Sequence, residues 1–394
     1  MTVSSPVNSP SQLKESSSAL KSAISDASRG LIERETLVEL VVLAAVAREH
    51  VLVVGPPGTA KSEAVRRIAK RLGGKTFEYL LGRFTEPSEI FGPVDLKKLR
   101  EGVVETETAG MLPEAEIAFL DEVFLGSTAI LNTLLGILNE RTFVRGHTRM
   151  KCPLRVCVGA SNRLPEEEQL AAFADRFLVR AFVEPIGDSS LEELLMSGWS
   201  LSSANEESAR AAMVHVDTLA SVAQTMDVSV MRGPISHAVR ALRSAGIDLS
   251  DRRIVRIQKL IAAAAALAGR EKPSEADLWP VVVALPTIDA QRLGRDVLRD
   301  FLSASQNETL IAAAAHTSFG PLARASKLTQ QALMLLSSPP AIESELHAYQ
   351  LRIEGMLREI DAGFAQTQLP ADLADARSKL ITKHESYKKT AANQ

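Results

Sequence analysis

Cysteine is nearly missing from this chain: Cys152 and Cys157 are the two in 394 residues. Their five-residue spacing matches neither a zinc pattern nor a C-x-x-C redox pair, and on a strand they point to opposite faces. They read as reduced core thiols. Aromatic residues are sparse too, at 4%, which argues against a platform that stacks the bases of single strands. Neither sign of charge dominates. There are 45 Lys and Arg against 48 Asp and Glu, a net charge of −3 and a pI of about 6.2. A protein that simply coats nucleic acid draws its affinity from phosphate neutralisation and needs a basic excess. No apolar run approaches the ~18–20 residues of a membrane span. The longest runs, 40–47 and 260–268, have the length of buried helices. The start of the chain lacks the apolar stretch of a secretory signal. What remains is globular: 45% apolar and 24% charged residues, enough for two or three domains at about 100–200 residues each.

Residues 1–27 are expected to be a disordered tail. Ten serines fall in the first thirty positions, and such a segment buries too little apolar surface to order itself. Leu31, Leu37, Leu40, Val41 and Ala44 then recur at helical spacing. Residues 50–54 read as a buried strand, 55–60 as a turn and 61–72 as a helix. Residues 77–80, 117–120 and 154–159 also have strand character, separated by helical patterns. That alternation predicts an α/β fold, a parallel sheet with helices on both faces. After Glu184 the strands stop, and 188–290 read as helices apart from a turn-rich stretch at 230–233. Pro339-Pro340 marks a boundary. Beyond it Ile342, Leu346, Tyr349, Ile353, Met356 and Ile360 form a heptad seam. The stretch 366–371, with Pro370, interrupts it, and Leu373, Ala376, Leu380 and Tyr387 resume it. Two such helices bury too little alone, so the hairpin is expected to pack on a third helix within 322–336.

The chemistry starts at Gly55-Pro56-Pro57-Gly58-Thr59-Ala60-Lys61-Ser62, between a strand and a helix. Backbone N–H groups of such a loop cradle phosphates, and the helix N-terminus adds a favourable dipole. Lys61 would reach the β- and γ-phosphates, and Ser62 would bind Mg²⁺. Ala60 stands where the general pattern has Gly, which a negative φ would tolerate. Farther on, an apolar strand ends in Asp121-Glu122. There the first acid supports Mg²⁺ through water and the second polarises the attacking water. No Asn-Lys-x-Asp stretch selects guanine, so ATP is the expected nucleotide. A third strand ends in Asn162, whose amide can orient that water.

Taken with Arg83-Phe84 before Glu89-Ile90-Phe91-Gly92-Pro93, Leu112-Pro113-Glu114-Ala115, Leu138-Asn139-Glu140-Arg141 and Asp175-Arg176, these motifs resemble an AAA+ ATPase of the MoxR family, most closely its RavA branch. The resemblance implies an αβα nucleotide-binding domain over 28–187, an all-α lid over 188–290 and a C-terminal helical extension over 291–394. It makes Asn162 sensor 1 and Arg176 the arginine finger that reaches a neighbour's γ-phosphate. Within Ser250-Asp251-Arg252-Arg253 it makes one arginine sensor 2, Arg252 first and Arg253 close behind. A finger supplied in trans implies a homo-oligomeric ring, normally hexameric. The family also implies a cytoplasmic location, a partner with a von Willebrand factor A (VWA) domain, and a client complex to remodel or mature, with metal-cofactor insertion among the roles. Two insertions belong to this clade. One holds Lys97-Lys98-Leu99-Arg100. The other is a hairpin with Arg141, Arg145, Arg149, Lys151 and Arg155, read as a handle for an acidic partner segment. The hundred or so residues after the lid are not expected to hold RavA's full discoidal domain. The competing expectation is a nucleic-acid-stimulated motor, because MCM helicases share the Ala-Lys-Ser loop and both insertions. The charge balance and the few aromatics argue against it.

Overall fold

The computed structural model describes residues 10–186, 194–195, 212–318, 321–337, 339, 346–364 and 369–392. Its first helix, α1 (Pro10–Ser28), occupies most of the stretch expected to be a disordered tail. Residues 1–9 lie outside the described residues. The serine content hid an apolar stripe: Leu13, Leu20, Ile24 and Ala27 are buried on one face. The serines on that face are used as well. Ser17 Oγ donates to the Leu267 carbonyl at 2.5 Å and pairs with Thr309 Oγ1 at 3.0 Å. Ser16 Oγ meets His215 Nδ1 at 3.1 Å. A buried hydroxyl with a partner does not oppose helix docking.

Next come α2 (Glu35–Ala47), β1 (Val51–Val54), α3 (Lys61–Leu72), β2 (Thr76–Leu80), two short helices α4 (Pro87–Phe91) and α5 (Leu96–Arg100), and β3 (Ile117–Asp121). They are followed by α6 (Thr128–Glu140), the hairpin β4 (Thr142–Arg145) and β5 (Thr148–Lys151), β6 (Val156–Ser161), α7 (Glu168–Ala174) and β7 (Val179–Phe182). Among the described residues, five strands form a parallel sheet in the order β2-β3-β6-β1-β7. The central strands β1 and β6 are buried along their whole length, hence their unbroken apolar runs. Val54 lies beside Ser161 on one side and Phe182 on the other, so three strands end level where the loop begins. Strand β7 was not expected, because Arg180 interrupts its apolar pattern. That arginine is buried, with Nη2 donating to the Ala174 carbonyl at 2.7 Å.

The chain continues with α8 (Met213–Thr225), α9 (Arg232–Ser244), α10 (Asp251–Leu267), α11 (Pro280–Val283) and α12 (Ile288–Val297). Residues 188–211 of the expected lid lie outside the described residues, save 194–195. The turn expected at 230–233 instead leads into α9, which takes Gly233 and Pro234 into its first turn. Proline fits there because first-turn N–H groups have no intrahelical acceptor. One continuous apolar core joins Val51 and Val158 of the sheet to α2, α8, α10 and Trp279. The other face of the sheet buries Leu52, Leu120, Ile130, Phe143, Cys157 and Phe177. Both cysteines are free and buried. Burial pushes the Cys152 thiol up to about 11 and the Cys157 thiol to about 12, which leaves them unreactive.

Last come α13 (Ile311–Ser318), α14 (Pro321–Ser337), α15 (Leu346–Gly363) and α16 (Ala371–Ala392). A separate apolar cluster joins Ala325, Leu328 and Ala332 to Tyr349, Ile353 and Ile360, and these to Leu373, Ala376 and Leu380. Of the seam positions, Ile342 and the Tyr387 side chain lie outside the described residues, as do 366–368 of the interrupting stretch at 366–371. Glu39 of α2 anchors this extension. Its carboxyl oxygens accept the Ala312 and Ala313 N–H groups at 3.1 and 2.6 Å, at the start of α13.

Candidate nucleotide-binding site

The loop between β1 and α3 is shaped by close approach and by backbone conformation. A Cβ at Gly55 would stand 2.2 Å from the Val183 carbonyl oxygen, and Gly58 has φ +77° with open space beside it. Ala60 corrects the sequence expectation: its φ is 56° and its ψ 25°, left-handed rather than negative. For a residue with a Cβ that conformation costs about 1–2 kcal/mol. Two contacts surround it. Thr59 Oγ1 donates to the Pro56 carbonyl at 2.8 Å, and Arg34 Nε donates to the Thr59 carbonyl at 2.8 Å. Lys61 is buried, its ammonium donating to the Gly55 and Pro56 carbonyls at 2.7 and 2.8 Å. Burial lowers its pKa, with Asp121 and Glu122 opposing.

At the end of β3, Asp121 Oδ2 accepts from Ser62 Oγ at 3.3 Å, and Asp121 Oδ1 accepts the Glu122 N–H at 3.0 Å. A serine hydroxyl beside a carboxylate is the oxygen set that Mg²⁺ takes together with water and phosphate. These residues therefore fit the metal. Glu122 turns the chain off the strand in the left-handed region, φ 49°. Asn162, just past β6, donates its amide to Glu122 Oε1. Burial raises the Glu122 pKa, Asp121 adds to that, and Lys61 opposes it. A carboxylate with raised proton affinity, fixed by an amide, suits a general base.

A cleft of about 820 Å³ runs from Glu122 and Asn162 past the exposed Arg83 to Phe173 and Arg176. Arg176 is not hydrogen-bonded to the other site residues, and its buried Nε and Nη1 have no partner among the described residues. A guanidinium left so lacks the acceptor that would offset its desolvation. A second cavity of about 410 Å³, between α3 and β2, holds none of these groups.

The two arginines at the start of α10 separate cleanly. Arg253 is buried, bonding Asp175 at 2.6 Å and the Phe177, Leu178 and Ala284 carbonyls at 3.1, 3.0 and 2.6 Å. These bonds make it a strut that ties α10 to the segment between α7 and β7. Arg252 is exposed. The basic hairpin also shrinks as a handle. Arg141 caps α6, Arg145 donates to the Gly92 carbonyl at 3.0 Å, and Arg155 pairs with Asp217 at 2.9 Å. Only Arg149 and Lys151 of its five basic residues are exposed. The sequence reading missed Arg34, because nothing in its local pattern links it to a loop 25 residues away.

The family model for the MoxR domain of MoxR-vWA-beta-propeller ternary systems matches residues 18–224. This chain belongs to the MoxR family. The matched MoxR span begins inside α1, in keeping with that helix being part of the fold. Two uncharacterized proteins of Methanocaldococcus jannaschii are 39% and 38% identical over 251 residues, 63% of this chain. The match spans 66% and 64% of their lengths, slightly under two thirds. A Mycobacterium tuberculosis protein named chaperone MoxR1 is 29% identical over 41% of this chain and 43% of its own length. A crystal structure of a candidate ATPase from Cytophaga hutchinsonii superposes with a TM-score of 0.60 at 16% identity, covering 75% of this chain and 97% of that one. That likeness speaks for the AAA+ α/β fold. No helix among the described residues is long and apolar enough to cross a membrane.

Proposed function

We propose that this MoxR-family chain is an ATP-hydrolysing motor of the RavA type, working as a ring with a VWA-domain partner to remodel or mature a client complex. One observation carries the reading: Asn162 grips Glu122 beside the Ser62–Asp121 pair, at the mouth of a phosphate-cradling loop. The loop amides and Lys61 would bind the phosphates of ATP. Ser62 and Asp121 would hold Mg²⁺, which when bound neutralises developing phosphate charge. Glu122 would take a proton from the attacking water, with Asn162 fixing the carboxylate that receives it. Arg176 suits a neighbour's nucleotide, since its guanidinium has unused donors, and Arg252 stands free on the lid helix to sense the bound state. A VWA partner agrees with the family's description and with the exposed Arg149 and Lys151 of the hairpin.

Steady-state turnover and nucleotide titration test the core of this. Lys61→Ala should abolish ATP binding. Glu122→Gln should bind ATP normally and hydrolyse it about 10²–10⁴-fold more slowly. Turnover by Glu122→Gln near the parental rate removes Glu122 from catalysis. Native mass measurement with ATP present then gives the ring size.

A further inference from the structure

We propose that Arg34 is a positioning residue for the phosphate loop, holding Ala60 in the left-handed conformation that the loop requires. This rests on reading the loop as a nucleotide site. Arg34 is buried, and burial lowers its pKa with Glu33 and Glu35 opposing. A desolvated guanidinium is costly unless its donors are used. The bonds Arg34 makes go to backbone carbonyls: Nε to Thr59 at 2.8 Å, Nη1 to Glu33 at 2.8 Å and Nη2 to Glu184 at 2.9 Å. One side chain thus joins the entry to α2, the phosphate loop and the exit of β7, and each bond is charge-assisted.

The Thr59 bond acts on Ala60. In a trans peptide the carbonyl and the following N–H point in opposite directions. Fixing the Thr59 oxygen on Arg34 therefore aims the Ala60 N–H the other way and limits φ at Ala60. The following carbonyl is committed too, because Ala60 O accepts the Ala64 N–H at 3.1 Å as α3 begins. Ala60 is held at both of its peptides. Glycine enters this region without steric penalty, so a loop with Gly there would need no such clamp. The arginine clamp and the alanine go together.

The test is a four-protein cycle: parental, Arg34→Gln, Ala60→Gly and the double variant. Affinity is read with a fluorescent ATP analogue and folding by thermal melting. Arg34→Gln should weaken binding about tenfold, a coupling of ordinary size for contacting groups. Ala60→Gly sets its own reference affinity, and in that background Arg34→Gln should cost much less than about tenfold. If Arg34→Gln costs the same factor with Ala or Gly at position 60, the clamp does not act through Ala60 and the proposal is overturned. If Arg34→Gln does not fold, Arg34→Lys replaces it in the same cycle. Amide exchange of residues 55–62 without nucleotide keeps the two readings apart. A parental protein that binds no ATP analogue sinks the ATPase reading. Exchange at 55–62 then still decides the clamp, which fails if Arg34→Gln leaves it unchanged.

Discussion

The two ends of the parallel sheet hold similar kinds of residue and use them in opposite ways. At the amino end, His50 Nδ1 accepts the Cys157 N–H at 3.0 Å and Nε2 meets the Leu138 carbonyl at 3.0 Å. Arg141 caps α6 and donates to the Arg48 carbonyl at 2.8 Å. Asp217 pairs with Arg48 at 2.5 Å and with Arg155 at 2.9 Å, and Arg155 also meets Glu116 at 3.3 Å. At the carboxyl end, Asp121, Glu122 and Asn162 are answered partly by one another, and Glu122 and Asn162 border an open cleft. Burial drives His50 well below its usual range and Arg141 to about 10, a stronger displacement than the rise at Glu122. A perturbed pKa alone therefore does not find the site. Perturbation beside a cleft does, and in parallel sheets that cleft lies at the carboxyl ends of the strands.

A pair of substitutions can break this contrast. Arg141→Ala leaves carbonyls at the end of α6 and at Arg48 unanswered and should cost about 3 kcal/mol of stability. Turnover per folded molecule should stay near parental. Asn162→Ala should do the reverse, slowing turnover about 10²-fold with little change in melting. If each variant alters both stability and turnover, the two ends are one coupled network.

The sequence made the carboxyl end legible because its chemistry depends on short, contiguous spacing. The loop, Asp121-Glu122 and Asn162 sit at strand ends that apolar runs announce. Other features escaped for specific reasons. Helix α1 hid behind serines whose partners, Leu267 and Thr309, are distant in sequence. Strand β7 hid behind Arg180. Arg253 and Arg252 are neighbours of the same type, and only the packing of Asp175 against α10 tells strut from free side chain. Arg34 acts across the fold, which no local pattern reports.

Glu39 sharpens the contrast with a smaller effect. Like the amino-end groups it is buried, but its near contacts are the Ala312 and Ala313 N–H groups rather than a cation, with Glu35 and Lys327 farther off. Burial raises it from the ordinary 4.5 to about 8, with those N–H groups opposing. In the unfolded chain the carboxyl loses its proton near 4.5, while the folded protein keeps it until about 8. Between those values the native state binds more protons, so stability falls as pH rises and levels off above the upper one. Melting of the parental protein should decline across that window relative to Glu39→Gln. Parallel curves would show that Glu39 does not titrate there.

The smallest effect tests whether the carboxyl end depends on the extension at all. The cluster joining α14, α15 and α16 is separate from both faces of the sheet. Ala325, Leu328 and Ala332 supply one wall of it, and the residues opposite lie on α15 and α16. Two helices of this length are marginal alone in water, so α14 depends on the other two for its burial. Removing residues 341–394 should strip amide protection from 322–336, where three buried positions lose their cover. Protection at 55–62 should stay as it was, because among the described residues the side chains of Lys61, Thr59 and Arg34 bond to partners at 184 and below. Unchanged protection at 322–336 would mean that α14 does not rely on the shared cluster. A change at 55–62 would mean that the extension reaches the phosphate loop, with Glu39 at the head of α13 as the route to examine first.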